Sequence, residues 1–97
     1  MDVFFALAEP TRRSIIEMLA ERGQLSATAI AGRFHSTPSA ISQHLKVLRE
    51  ARLVSVEKRN QQRLYSLNTE AVKQLEDWAR QMSARYDALE AMIDNNN

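Results

Sequence analysis

The sequence predicts a mainly α-helical fold that carries one small β-hairpin. Three observations predict it. Apolar residues recur at helical spacing over most of the chain, first at Ile15, Ile16 and Leu19 and again at Ile41, Leu45 and Leu48. One later segment switches to a period of two, with Val54 and Val56 alternating against Ser55 and Glu57. Two glycines and two prolines in 97 residues leave too few turn formers for an all-β chain. A chain of this length builds one core, so residues 1–97 are expected to form a single unit in the order α-α-α-α-β-β-α.

Each element has its own local cause. Asp2 can cap a short first helix through Ala8, after which Glu9-Pro10 breaks the line. Pro10 takes the first position of a second helix, which runs to about Arg22 and ends at Gly23. Ser26 is a good N-cap for a third helix from Ala27 to Phe34, followed by the polar turn His35-Ser36-Thr37. Thr37 caps again, and Pro38 launches a fourth helix to about Ala51 with Ile41, Leu45 and Leu48 as its inner stripe. The hairpin follows. Its turn falls around Arg59-Asn60-Gln61, where Asn60 best accepts a left-handed backbone in the absence of glycine. Thr69 is expected to cap a long last helix, with Glu70 in its first turn, and Asn95-Asn96-Asn97 should fray.

In that last helix Val72, Leu75, Ala79, Met82, Tyr86, Leu89 and Ile93 are spaced alternately three and four apart, a heptad stripe. From Glu70 to Ile93 it would reach roughly 36 Å, longer than so small a domain can cover. It needs another chain. Phe4, Phe5 and Leu7 of the first helix can pack beside it, so both ends of the chain are expected to join in one symmetric homodimer interface. Trp78, Met82, Tyr86 and Met92 fit core and interface packing better than a ligand pocket.

Composition narrows the function. There is no cysteine, hence no disulfide framework and no thiolate metal cluster. No run of about 18 apolar residues is present to span a membrane, and Met1-Asp2-Val3-Phe4-Phe5 does not resemble a signal peptide, so a cytoplasmic location is expected. The net charge of +1 hides an uneven distribution. From Arg33 to Ser66 seven cations face Glu50 and Glu57, a local balance of +5, whereas Leu67 to Asn97 carries −3. The basic middle calls for a polyanionic partner for that segment alone.

Helix, short turn, helix and basic hairpin in that order is the layout of a winged helix-turn-helix, whose second helix enters the DNA major groove. With Ile41, Leu45 and Leu48 turned inward, a helical wheel sends Ser39, Gln43, Lys46 and Glu50 outward. Ala40 and Val47 fall on one flank, Ser42 and Arg49 on the other. Serine can bond a phosphate or base edge, glutamine can pair with adenine, alanine can meet a thymine methyl, and lysine can reach guanine or phosphate. The residues expected to meet double-stranded DNA are Thr37, Ser39, Ala40, Ser42, Gln43 and Lys46 of the helix, with Lys58, Arg59 and Arg63 of the hairpin. Arg59 at the tip would reach the minor groove or phosphate, and Lys58 and Arg63 the flanking backbone.

Three stretches carry a family resemblance: Ala8 to Ile16 (AEPTRRSII), Ser39 to Ala51 (SAISQHLKVLREA) and Arg63 to Asn68 (RLYSLN). Together they resemble the ArsR/SmtB family of bacterial winged-helix repressors over nearly the whole chain. The resemblance implies a homodimeric, operator-binding repressor whose first and last helices form the dimer interface. Many members sense metals or oxidants through cysteines or Asp/His sets. Without cysteine, and with His35 and His44 as its only histidines, this sequence is similar to the non-metal-sensing, SdpR-like branch. Arg52 stands where the family usually has glycine, Asn60 replaces a wing glycine, and Ser36 replaces an apolar turn residue. An arginine in a left-handed cap costs about 1 kcal/mol relative to glycine.

No metal site and no cofactor are expected, because His35 and His44 lack the third ligand that zinc requires, and His44 reads as a packed imidazole. No catalytic constellation is recognisable among the serines, glycines and carboxylates, so the protein is not expected to be an enzyme. The sequence names no small-molecule effector. The rival class is a winged-helix module for protein contacts, which would not need Lys46, Lys58, Arg59 and Arg63 on one common side.

Overall fold

The computed structural model describes residues 2–95. Helix α1 (Val3–Leu7) starts where the Phe4 amide donates to Asp2 Oδ1 at 3.0 Å. Helix α2 (Pro10–Arg22) is capped by Glu9, whose Oε2 accepts from the Arg12 amide at 2.9 Å, so the residue read as a break also starts the next helix. Gly23 ends α2 at φ 84, a conformation open to glycine at little cost, and its amide donates to the Leu19 carbonyl at 2.8 Å.

A short strand, β1 (Gln24–Ser26), comes next. Sequence periodicity missed it because three residues are too few to display a period. Ser26 then caps α3 (Ala27–Ala31), its Oγ accepting from the Ala29 amide at 3.1 Å. This helix is shorter than the expected Ala27 to Phe34. At Gly32 the winding tightens, and Arg33 and Phe34 donate to the carbonyls of Ile30 and Ala31 at 3.1 and 3.3 Å, three residues back instead of four.

Helix α4 (Pro38–Glu50) begins as expected, with Thr37 Oγ1 accepting from the Ala40 amide at 3.1 Å and Pro38 at its first position. Its end is a Schellman motif. The Leu53 amide donates to the Leu48 carbonyl and the Arg52 amide to the Arg49 carbonyl, both at 3.0 Å, with Arg52 at φ 61 in the left-handed position. Leu48 and Leu53, the apolar pair of this motif, are both fully buried.

Strands β2 (Val54–Arg59) and β3 (Gln62–Leu67) form the expected hairpin across Asn60-Gln61, with Asn60 at φ 57. The sheet order is β1-β3-β2, all antiparallel. Register places Val54 with Leu67, Val56 with Tyr65 and Lys58 with Arg63 on one face, and Leu25 of β1 beside Tyr65. That face meets the helices. Ile15, Leu19, Ile30, Ile41, Leu45, Leu48, Leu53, Val54 and Tyr65 make the core, each large side chain contributing about 1.5–3 kcal/mol by leaving water.

Helix α5 (Thr69–Asn95) is capped by Asn68 and not by Thr69. Asn68 Oδ1 accepts from the Glu70 amide at 3.2 Å and its carbonyl from Val72, while its own amide is fixed to the Leu53 carbonyl. Both residue types cap well, and that anchor to Leu53 decides between them. The helix continues through Asn95; the expected fraying of Asn96 and Asn97 lies outside the described residues. At 27 residues it is about 40 Å long and sets the extents of 62 × 26 × 24 Å. The radius of gyration is 17.2 Å, where a compact chain of this length has roughly 12.5 Å.

Candidate nucleic-acid interface

Helices α3 and α4 and the turn between them form the helix-turn-helix, and the buried stripe Ile41, Leu45, Leu48 fixes which side of α4 faces out. Ser39, Ser42, Gln43 and Lys46 are exposed and Ala40 is half-buried. Thr37 is exposed, with its oxygen accepting the cap bond and its hydroxyl proton available to an outside acceptor.

The pleat divides the cations of the wing. Lys58 and Arg63 are directly paired in register on the face that also carries Val54 and Tyr65. Arg59, one residue from Lys58, pairs with Gln62 on the opposite face. There its Nη2 donates to Glu57 Oε1 at 3.0 Å, with both side chains more than half exposed. Such an exposed pair contributes about 0–1 kcal/mol, so a phosphate can compete for Arg59 at little cost.

Arg63 and Tyr65 of β3 face α4 across an open cleft of about 160 Å³, whose other lining residues are Ser42, Gln43, Lys46 and Arg49. Three of the residues expected to meet DNA on α4 and one on the wing therefore share one concave site. Two residues not anticipated there are Arg49 and Tyr65. Arg49 follows Lys46 by three and Ser42 by seven positions, one helical face, which was a usable signal. Nothing in the sequence announces Tyr65, whose place depends on strand register. Lys58 and Arg59 do not line the cleft, and the pleat turns Arg59 to the other face, so of the four cations expected on one common side only Lys46 and Arg63 converge here.

Behind α4 lies a polar cluster. Arg12 reaches His44 Nδ1 with Nη1 at 3.4 Å, while its Nε and Nη2 donate to the carbonyls of Ala6 and Phe5 at 2.7 and 3.2 Å. Glu9 Oε2 stands 3.7 Å from the same His44 nitrogen. Burial opposes ionisation of Glu9, but the amides of Arg12 and Thr11, the His44 charge and the Thr11 hydroxyl together outweigh it and hold the carboxyl below its ordinary value. His44 is thus a packed imidazole, while His35 is exposed. Among the described residues no three His, Asp or Glu side chains come together as a metal site would require.

On α5, Val72, Leu75 and Met82 are half-buried, whereas Ala79, Tyr86, Leu89 and Ile93 are exposed. From residue 83 to residue 94 every position faces solvent. On α1, Leu7 is half-buried, Phe5 is exposed, and Phe4 packs edge-on against Trp78 with ring centroids 4.8 Å apart. Among the described residues no helix is long and apolar enough to cross a membrane.

A helix-turn-helix followed by a β-hairpin wing, with a polar and cationic cleft between second helix and wing, defines a winged helix-turn-helix DNA-binding regulator and not an enzyme. Comparison with known proteins agrees. Residues 9–56 match the family described as bacterial regulatory protein, arsR family. The chain is 36% identical over 77 residues to the transcriptional repressor SdpR of Bacillus subtilis (strain 168), covering 79% of this chain and 84% of that protein. A crystal structure of a possible transcriptional regulator for arsenical resistance superposes with a TM-score of 0.76 at 36% identity, covering 84% of each chain. An ArsR-like transcriptional regulator from Rhodococcus sp. RHA1 superposes with a TM-score of 0.76 at 28% identity, covering 94% of this chain and 85% of that one. The chain belongs to the arsR family of bacterial regulatory proteins.

Proposed function

We propose that this protein is a homodimeric repressor that acts in the cytoplasm by occupying a pseudo-palindromic operator. The observation that carries the reading is the cleft itself: Ser42, Gln43 and Lys46 of α4 and Arg63 of the wing line one open site with no carboxylate among its lining residues. A protein-binding winged helix has no need of that convergence, whereas a DNA reader does. In this reading Thr37, Ser39, Ala40, Ser42, Gln43 and Lys46 face the major groove, and Lys58, Arg59 and Arg63 contact phosphate or the minor groove. Residues 1–97 act as one winged-helix unit, dimerised through Phe4, Leu7, Val72, Leu75, Ala79, Met82, Tyr86, Leu89 and Ile93. The exposed apolar length of α5 supports the dimer, and the name of the similar transcriptional repressor SdpR supports repression.

The test is to select binding fragments from genomic DNA and titrate salt. The expected result is a set of fragments retained at physiological salt, with log K falling linearly against log salt concentration. Absence of both sequence preference and salt dependence would remove the reading in favour of a protein-contact module.

A further inference from the structure

We propose that the cleft between α4 and β3 is a phosphate pocket, in which Tyr65, Ser42, Arg49 and Arg63 hold one backbone phosphate of duplex DNA. The proposal rests on the DNA-binding reading above and assigns a site within it.

The first observation is Tyr65. The residue is only 4% exposed, held in the core between its strand neighbours Val56 and Leu25. Its hydroxyl makes no hydrogen bond to any described residue, yet it is not a sealed polar atom, because Tyr65 lines the cleft. Tyr65 thus brings an unpartnered, solvent-touching donor to the space that this cleft and the adjoining hollow beneath α3 share at Ser42 and Arg63. The Ser42 hydroxyl supplies a second uncharged donor beside it.

The second observation is the charge. Lys46, Arg49 and Arg63 all line the cleft, and none of them pairs with a carboxylate among the described residues. Arg63 also stands directly opposite Lys58 in the hairpin, a like-charge pair that is unfavourable until an anion lies against it. Arg49 complements the C-terminal dipole of α4 whatever else it does, but that role does not account for a tyrosine hydroxyl and a second guanidinium facing the same space. Hydroxyls and guanidinium forks are the donor set that phosphate oxygens accept.

The third observation selects the source of the phosphate. The cleft shares Ser42, Gln43 and Lys46 with the face of α4 turned toward the groove. An anion seated there is placed beside the base-reading side chains. A phosphate on the strand bordering the groove meets that condition, and a free anion gains nothing from it.

The test measures binding of a labelled random-sequence duplex of about two helical turns over a series of salt concentrations. It compares the wild type, Tyr65→Phe, Arg49→Gln and the double variant. Tyr65→Phe should weaken binding about 3–10-fold at every salt concentration with an unchanged slope, since a neutral hydroxyl displaces no counterion. Arg49→Gln should weaken binding and flatten the slope by about 0.9 per monomer. The double variant should lose less than the product of the two, because both groups hold one phosphate. Arg49 is exposed, so its variant keeps the test sound if Tyr65→Phe disturbs folding.

Unchanged affinity and slope in both single variants, with the wild type binding the duplex, overturns the pocket and leaves the DNA-binding reading standing. No duplex binding by the wild type overturns both. A parallel titration with inorganic phosphate at fixed ionic strength covers the other source. Tight phosphate binding lost in Tyr65→Phe, with duplex affinity unchanged, would make this a free-anion site and overturn its assignment to DNA.

Discussion

Arg12 Nη1 lies 3.4 Å from His44 Nδ1, and this contact ties α2 to α4. The same guanidinium closes the Ala6 and Phe5 carbonyls at the end of α1 and lies 5.5 Å over the Phe5 ring. Arg12→Ala takes this donor from the Ala6 carbonyl in a half-buried site, while Phe5 keeps the Ala8 amide, and should cost about 1–3 kcal/mol in urea unfolding. Arg12→Lys keeps the charge but not the fork, and should recover less than half of that loss. Equal stability of Arg12→Ala and wild type would show that the cluster is incidental.

Glu9 gives that cluster a pH dependence. Its carboxyl is held below the ordinary value of 4.5, so the unfolded chain takes up a proton more readily than the folded one. The resulting stabilisation is fully present above the unfolded value and is lost as pH falls through the folded value. Wild type and Glu9→Gln should therefore differ in stability at neutral pH and converge in acid below 4.5. A difference that stays constant between neutral pH and strong acid would mean the carboxylate charge contributes nothing.

Arg52 occupies the left-handed position of the Schellman motif at φ 61, exposed and without an ion pair among the described residues. Arg52→Gly should raise stability by up to about 1 kcal/mol, because the strain relieved exceeds the added freedom of the unfolded chain. Arg52→Val should lower it, since a β-branched residue tolerates this backbone poorly. Thermal melts of the three proteins give the order directly.

These residues also mark what could be read from the sequence. Capping at Ser26, Thr37 and Pro38, the Ile41-Leu45-Leu48 stripe, and the left-handed positions of Arg52 and Asn60 are local, and local chemistry decides them. What escaped depends on distant partners. Strand β1 exists through its pairing with β3, and Asn68 became the cap through its bond to Leu53. Lys58-Arg59 reads as a single basic patch, yet the pleat sends the two to opposite faces. The cleft is the same kind of case, because Tyr65 and Arg63 reach α4 only once register and sheet order are set.

Tyr86, Leu89 and Ile93 are 64%, 54% and 56% exposed on a helix that leaves the body behind, which is a poor arrangement for an isolated chain. Light scattering at micromolar concentration should give twice the chain mass of 11.1 kDa. Leu89→Glu should shift the mass toward the monomer by placing an unpaired charge in an apolar seam, and stability should become less dependent on concentration. A wild type that is monomeric, folded and fully active on DNA would exclude dimerisation through α5.

Gln43 and Arg63 face the same cleft from opposite walls but should fail differently. Gln43 is exposed on α4 at a position where its amide can pair with a base edge, and such a pair discriminates by about 1–3 kcal/mol. Gln43→Ala should lose that much on the selected operator and little on random duplex, so its selectivity falls. Arg63 is a point of positive charge on the wing with no carboxylate partner among the described residues. Arg63→Ala should weaken operator and random duplex alike and reduce the salt slope by about 0.9 per monomer. In the proposed dimer each α4 would read one half-site, with the two set about 34 Å apart. Changing operator half-site spacing by half a turn should therefore abolish selective binding by the wild type while leaving its random-duplex affinity intact. The same small loss for both variants on both duplexes would show that neither side chain touches DNA in the way proposed.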